Sequence, residues 1–195
     1  MATLHLSQND DADALLSEDP LALLIGMVLD QQVALEWAFV GPLTLKQRLG
    51  HLDAGKIAAM DPEVLVQVAL EKPPIHRYPA AMARRVHELT QTIVDEYDGD
   101  AAAVWKRATD GADLYKRVKA LPGFGDMKAR IFVALVGKQL GAQPPGWREA
   151  AGAYGQDGSY MSVADIVDRA SLEKVRSYKQ EKKRAAKAAA QAVEA

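Results

Sequence analysis

Two glycines one residue apart, set between two amphipathic stretches, constrain this chain more than anything else in it. Residues 121–132 read Leu121-Pro122-Gly123-Phe124-Gly125-Asp126-Met127-Lys128-Ala129-Arg130-Ile131-Phe132. Residues 113–120 before them can form a helix. Pro122 cannot continue it, because proline has no N–H and its ring clashes with the preceding turn. Gly123 and Gly125 permit a tight reversal and leave no side chain in the way of an approaching group. Asp126 places a carboxylate at the start of a second helix, where it is favoured. The unpaired N–H groups and partial positive charge of that helix start suit a phosphate. Lys128 adds a cation nearby, as a phosphate contact. The stretch predicts two helices joined by a hairpin that can hold a nucleic-acid phosphate without reading a base. The same turn also serves as a plain helix connector, so alone it leaves both readings open.

Helical spacing dominates the rest of the chain and strand-like alternation is scarce, which predicts an all-α protein. Ser17-Glu18-Asp19-Pro20 is a helix start. The run 21–29 is apolar nearly all round, so its helix belongs at the centre of a domain. It is too short to span a membrane, and it turns polar at Asp30-Gln31-Gln32. Gly41-Pro42 predicts a break. Shorter helices are expected over 43–49, 54–60 and 62–70, and a loop over 72–79. Met82, Val86, Leu89, Ile93 and Tyr97 form a stripe at spacings of three and four. Asp98-Gly99-Asp100 ends that helix, and a short helix over 101–108 precedes the hairpin. The second hairpin helix buries Ala129, Phe132, Val133, Val136 and Leu140. A Pro/Gly-rich connector spans 141–158, and helix returns over 162–168 and from 171. The expected division is a helical domain over 17–160 and a C-terminal extension over 161–195.

Charge narrows the function classes. The 195-residue chain carries a net charge of −2, which argues against an indiscriminate polyanion binder. The balance is uneven: residues 173–195 hold seven Lys/Arg and three Glu. The Ala/Lys-rich end, 182–195, reads either as a solvated tail or as a basic arm. With no cysteine, disulfides, cysteine nucleophiles, thiolate metal sites and iron–sulfur clusters are excluded. His5, His51, His76 and His87 show no metal-ligand spacing. The polar, acidic start is unlike a signal peptide, which predicts a cytoplasmic protein.

Two motifs carry a resemblance to the helix-hairpin-helix (HhH-GPD) superfamily of DNA glycosylases, the group of endonuclease III and the adenine and 3-methyladenine glycosylases. Ile25-Gly26-Met27-Val28-Leu29-Asp30-Gln31-Gln32 is similar to the family's apolar helix ending in a Ser/Gln-Gln pair. Leu121-Pro122-Gly123-Phe124-Gly125-x-x-x-Ala129 matches the family hairpin. The resemblance covers roughly residues 21–141. It implies two helical subdomains with a cleft for double-stranded DNA and extrusion of one nucleotide into a pocket. It implies DNA contacts from Leu121, Gly123, Phe124, Gly125 and Lys128, with backbone N–H groups on a phosphate and hairpin carbonyls on a monovalent cation. Gln32, or else Gln31, would be the wedge that fills the gap in the base stack, since a flat amide can stack and bond to the orphaned base. A monomer acting at the nucleoid is expected.

The chain departs from the family where the chemistry is done. The position of the family's Schiff-base lysine is Met127, and Lys128, one residue on, is turned about a quarter of the way round the helix. No abasic-site lyase activity is expected. The family's catalytic aspartate is missing too, because residues 141–151 hold only one carboxylate, Glu149. Glu149 and Asp30 are the candidate catalytic groups, with Asp157 and Asp165 further on. Glu149 could instead pair with Arg148 or Lys138, and Asp30 could cap or pair locally. Trp37, Phe39 and Trp105 read as core or interface, and Trp147 as a residue at the pocket mouth. Three readings follow: a monofunctional glycosylase with a relocated carboxylate, a noncatalytic reader of distorted DNA, or an interaction module that does not bind nucleic acid.

Overall fold

The computed structural model describes the backbone of residues 3–193 and the side chains of residues 3–189. The last residues of the tail over 182–195 therefore lie outside the described residues. Among the described residues there are α-helices and short 3-10 turns but no strand. No described helix is long and apolar enough to cross a membrane.

The chain begins with α1 (Asp10–Glu18) and α2 (Pro20–Leu29). Asp19 caps α2 by accepting from Leu21 N and Ala22 N, with Pro20 in the first turn. Every residue of 21–29 is buried, so α2 is the central helix that its all-round apolar pattern predicts. α3 (Leu35–Leu49) lies against it. A methyl group on Gly26 would come 2.7 Å from the Phe39 ring, and one on Gly41 would come 2.4 Å from Leu29 Cδ1. Small residues on both helices thus let them close. The break expected at Gly41-Pro42 does not occur, because α3 runs through it. The proline forfeits one helical hydrogen bond, but Gly41 and Pro42 are both buried and packing keeps the helix whole.

The apolar core also takes in residues before 17. Leu4 and Leu6 are fully buried. Leu4 N donates to Ser17 Oγ, and Asp13 Oδ1 accepts from Leu6 N, Ser7 N and Ser7 Oγ.

α4 (Ala54–Ala59) and α5 (Pro62–Leu70) are capped by Asp53 and Asp61. Both pack on α6 (Pro79–Tyr97), whose stripe Met82, Val86, Leu89, Ile93 and Tyr97 is buried as the spacing predicts. These six helices form the first group. The second contains α7 (Ala103–Lys106), α8 (Gly111–Ala120), α9 (Asp126–Gln139), α10 (Trp147–Ala151) and α11 (Arg169–Val193). One continuous apolar core runs through both groups.

The 141–158 connector is more ordered than its composition predicts. A methyl group on Gly111 would meet the Gly146 carbonyl at 2.2 Å, and one on Gly137 would meet the Trp147 ring at 2.4 Å. Two glycines on α8 and α9 therefore make the seat for α10. Trp147 is only 7% exposed, so it is a core residue rather than a group at a pocket mouth.

Candidate functional site

The hairpin is built by fixing its underside and leaving its outer face as backbone. Leu121 and Phe124 are buried, and Phe124 stands edge-on to Phe132 with ring centres 5.8 Å apart. Their side chains belong to the core, so only their backbone is available to a ligand. Phe124 N donates to Leu121 O at 3.1 Å. Gly123 has φ +86, and a side chain there would run into Arg85 Cδ at 2.8 Å. Gly125 has nothing near the place of a Cβ. It is the N-cap of α9, and no side chain caps the helix, so the first N–H groups of α9 are left for solvent or an anion. Asp126 follows. The Tyr115 hydroxyl and the Arg130 guanidinium hold its carboxyl below the usual carboxylate range, with Lys119 3.6 Å away.

The segment after α2 is held from the opposite side. His76 is fully buried, and its Nε2 lies 2.9 Å from the Gln31 carbonyl. Its Nδ1 accepts from Tyr78 N at 3.0 Å. Because Nδ1 accepts, Nε2 carries the proton and donates to Gln31 O. Burial pushes the His76 pKa down, keeping the ring neutral. Gln31 Oε1 accepts from Arg85 Nη1 at 3.1 Å. Gln32 has φ +59, a left-handed conformation uncommon for a side-chain-bearing residue, and its side chain is exposed. Both glutamines are exposed and line the same cleft; Gln31 is bonded to Arg85, whereas Gln32 stands on a left-handed backbone. Arg85 is a member of the site that sequence reasoning missed. It lies over Gly123 and bonds Gln31, joining the hairpin to the segment after α2, and its one signal is a basic pair, Arg84-Arg85, between two members of the apolar stripe of α6.

Between these parts lies a cleft of about 720 Å³ lined by Gln31, Gln32, Arg85, Gly123, Gly125 and Asp126, among others. A second cavity of about 430 Å³ is lined by Met27, Ile131, Tyr154, Met161 and Tyr178, together with lysines of α11. Asp30, Met127 and Lys128 line both, so the two spaces meet at these residues. Met127 is 63% exposed. Lys128 Nζ turns inward, donating to Met27 O at 2.7 Å and Val28 O at 3.4 Å. It therefore sits on the negative end of α2 rather than reaching toward a phosphate, and burial lowers its pKa. Burial pushes the Asp30 carboxyl above the usual carboxylate range, while the ammonium groups of Lys179 and Lys128 pull it back.

The other carboxylates lie elsewhere. Glu149 is exposed on α10 and lines neither space. Arg148 and Lys138, its expected partners, pair with Asp157 and Asp165 instead. The arrangement offers a backbone anion site, an exposed amide in the cleft, an apolar and aromatic pocket, and one shielded carboxylate where cleft and pocket meet. No curated protein and no solved structure matches this chain. The sequence model of the HhH-GPD superfamily base excision DNA repair proteins matches residues 25–195, and the chain belongs to that family.

Proposed function

We propose that the protein is a monofunctional DNA glycosylase that extrudes a damaged nucleotide from duplex DNA and breaks its N-glycosidic bond with the help of Asp30. The observation that carries this reading is that Asp30 is the one carboxylate lining both the cleft and the pocket. The N–H groups after Gly125 would hold a backbone phosphate. The carbonyls of Pro122 and Gly123 accept no backbone hydrogen bond among the described residues, which suits a monovalent cation bridging the turn to that phosphate. Gln32 would enter the stack as the nucleotide leaves. Breaking the glycosidic bond builds positive charge on the sugar. A carboxylate fixed beside it in a water-poor site stabilises that charge by several kcal/mol. With methionine at the Schiff-base position and the Lys128 amine on α2 carbonyls, the bond would be broken by water rather than by an amine. We place the protein at the nucleoid as a monomer.

The test is base release from duplexes carrying a panel of lesions, with strand cleavage at abasic sites scored separately. Asp30→Asn is expected to lower release at least 100-fold while leaving duplex affinity within about twofold, a loss comparable to that of one electrostatic group at a reacting centre. Glu149→Gln should release as wild type does, and neither protein should cleave the strand. If Asp30→Asn released bases normally, the assignment would fail. A wild type that binds lesions yet releases nothing across the panel would support the noncatalytic reading, which the lysines flanking Asp30 favour by partly neutralising it.

A further inference from the structure

The last helix changes character along one face. Leu172 and Val175 anchor α11 in the core. Continuing at spacings of three and four, the same face carries Lys179, Lys182 and Lys183, where an amphipathic helix would continue with apolar groups. These three lysines line the 430 Å³ pocket. The pocket wall thus holds four amines, counting Lys128, against the single carboxylate of Asp30. The Lys128 amine is satisfied by α2 carbonyls. Lys179, Lys182 and Lys183 donate to no protein acceptor among the described residues, although Lys182 lies 5.6 Å from the Tyr178 ring.

Like charges three and four residues apart destabilise a helix. Three of them line one cavity with only the Asp30 carboxylate on its wall to offset them, a surplus of positive charge that suits an anion. The helix is also held in place at its start. Ser171 N donates to Asp168 Oδ1 at 2.7 Å, Lys174 reaches Tyr160 OH, and Arg176 pairs with Glu36 in the first turn of α3.

We propose that α11 is a phosphate clamp, in which Lys179, Lys182 and Lys183 grip the phosphates flanking an extruded nucleotide. This rests on the reading of the cleft as a DNA site and adds a partner for the pocket wall. The clamp differs from a basic arm that raises affinity for any DNA. Its grip exists only when a nucleotide has left the stack and drawn its phosphates toward the pocket.

The experiment compares two probes of one sequence, a fully paired duplex and the same duplex with a single-nucleotide bulge, using the full chain. Wild type is expected to prefer the bulged duplex. The Lys179→Gln/Lys182→Gln/Lys183→Gln variant should lose at least tenfold on the bulge and much less on the paired duplex. Its salt dependence on the bulge should flatten by about 2 to 3 in log–log slope, since each phosphate that a lysine neutralises accounts for about 0.9. The control, Arg184→Gln/Lys187→Gln, removes charges that do not line the pocket and should affect both probes equally. All five side chains are exposed, so the fold should be unchanged by circular dichroism. Equal loss on both probes in the triple variant, or no loss on either, overturns the clamp and leaves the DNA site standing. A wild type that binds neither probe overturns both.

Discussion

His76 shows how a single side chain sets the segment that follows α2. Its ring must donate through Nε2 to Gln31 O and accept through Nδ1 from Tyr78 N, and only the neutral tautomer does both. A second proton would set an N–H against the Tyr78 N–H. Burial lowers the folded-state pKa below the ordinary 6.5. Below pH 6.5 the unfolded chain binds a proton that the folded protein refuses. The stability that the neutral ring contributes is therefore present above pH 6.5 and lost as pH falls toward the folded pKa. His76→Gln can keep one donor and one acceptor without titrating. Wild type is expected to lose more thermal stability than this variant between pH 7 and pH 5, measured as the drop in Tm. Equal drops would remove His76 from the account. At this scale the sequence revealed the glutamine pair and the absence of a lysine at position 127. By resemblance it favoured Gln32 over Gln31 as the wedge, but it gave no sign of the left-handed backbone at Gln32 or of Arg85 over Gly123, which come from tertiary packing.

Among the elements, glycines do two different jobs that look alike in the sequence. Gly125 faces open space with φ −84, whereas Gly137 is pressed by the Trp147 ring. Gly125→Ala should cost about 1 kcal/mol of stability, as alanine is a poor N-cap. It should lower duplex affinity at least tenfold, since a methyl group would intrude where the phosphate approaches. Gly137→Ala should instead cost about 1–3 kcal/mol through overpacking, with affinity of the folded fraction unchanged. Urea unfolding and shift assays on both variants check the pair, and loss of affinity in Gly137→Ala alone would invert the assignment. The hairpin, the central helix and the stripe of α6 were legible because each follows from a local pattern. The course of α3 through Gly41-Pro42, and α10 inside the connector, were not. Both depend on a partner surface: Leu29 for Gly41, and the glycine seat of α8 and α9 for Trp147.

In the whole molecule, the two helical groups are fastened at several separate places. Lys128 of the second group grips α2 of the first, Arg85 of the first covers Gly123 of the second, and α11 returns to Glu36 at the start of α3. Such a body is expected to act as a fixed anvil rather than a pair of jaws. The work of fitting would then fall to the nucleic acid, bending and opening against an unyielding shape. Smoothly bending a site of 20–30 base pairs costs about 1–6 kcal/mol, and the cost is least where pairing or stacking is already weakened. Small-angle scattering should therefore show the protein component at nearly the same radius of gyration free and bound under DNA contrast matching, and a marked contraction would show that the cleft closes. A rigid member of this repair family would select DNA partly by its mechanical compliance, before any atom of a base is met in the pocket.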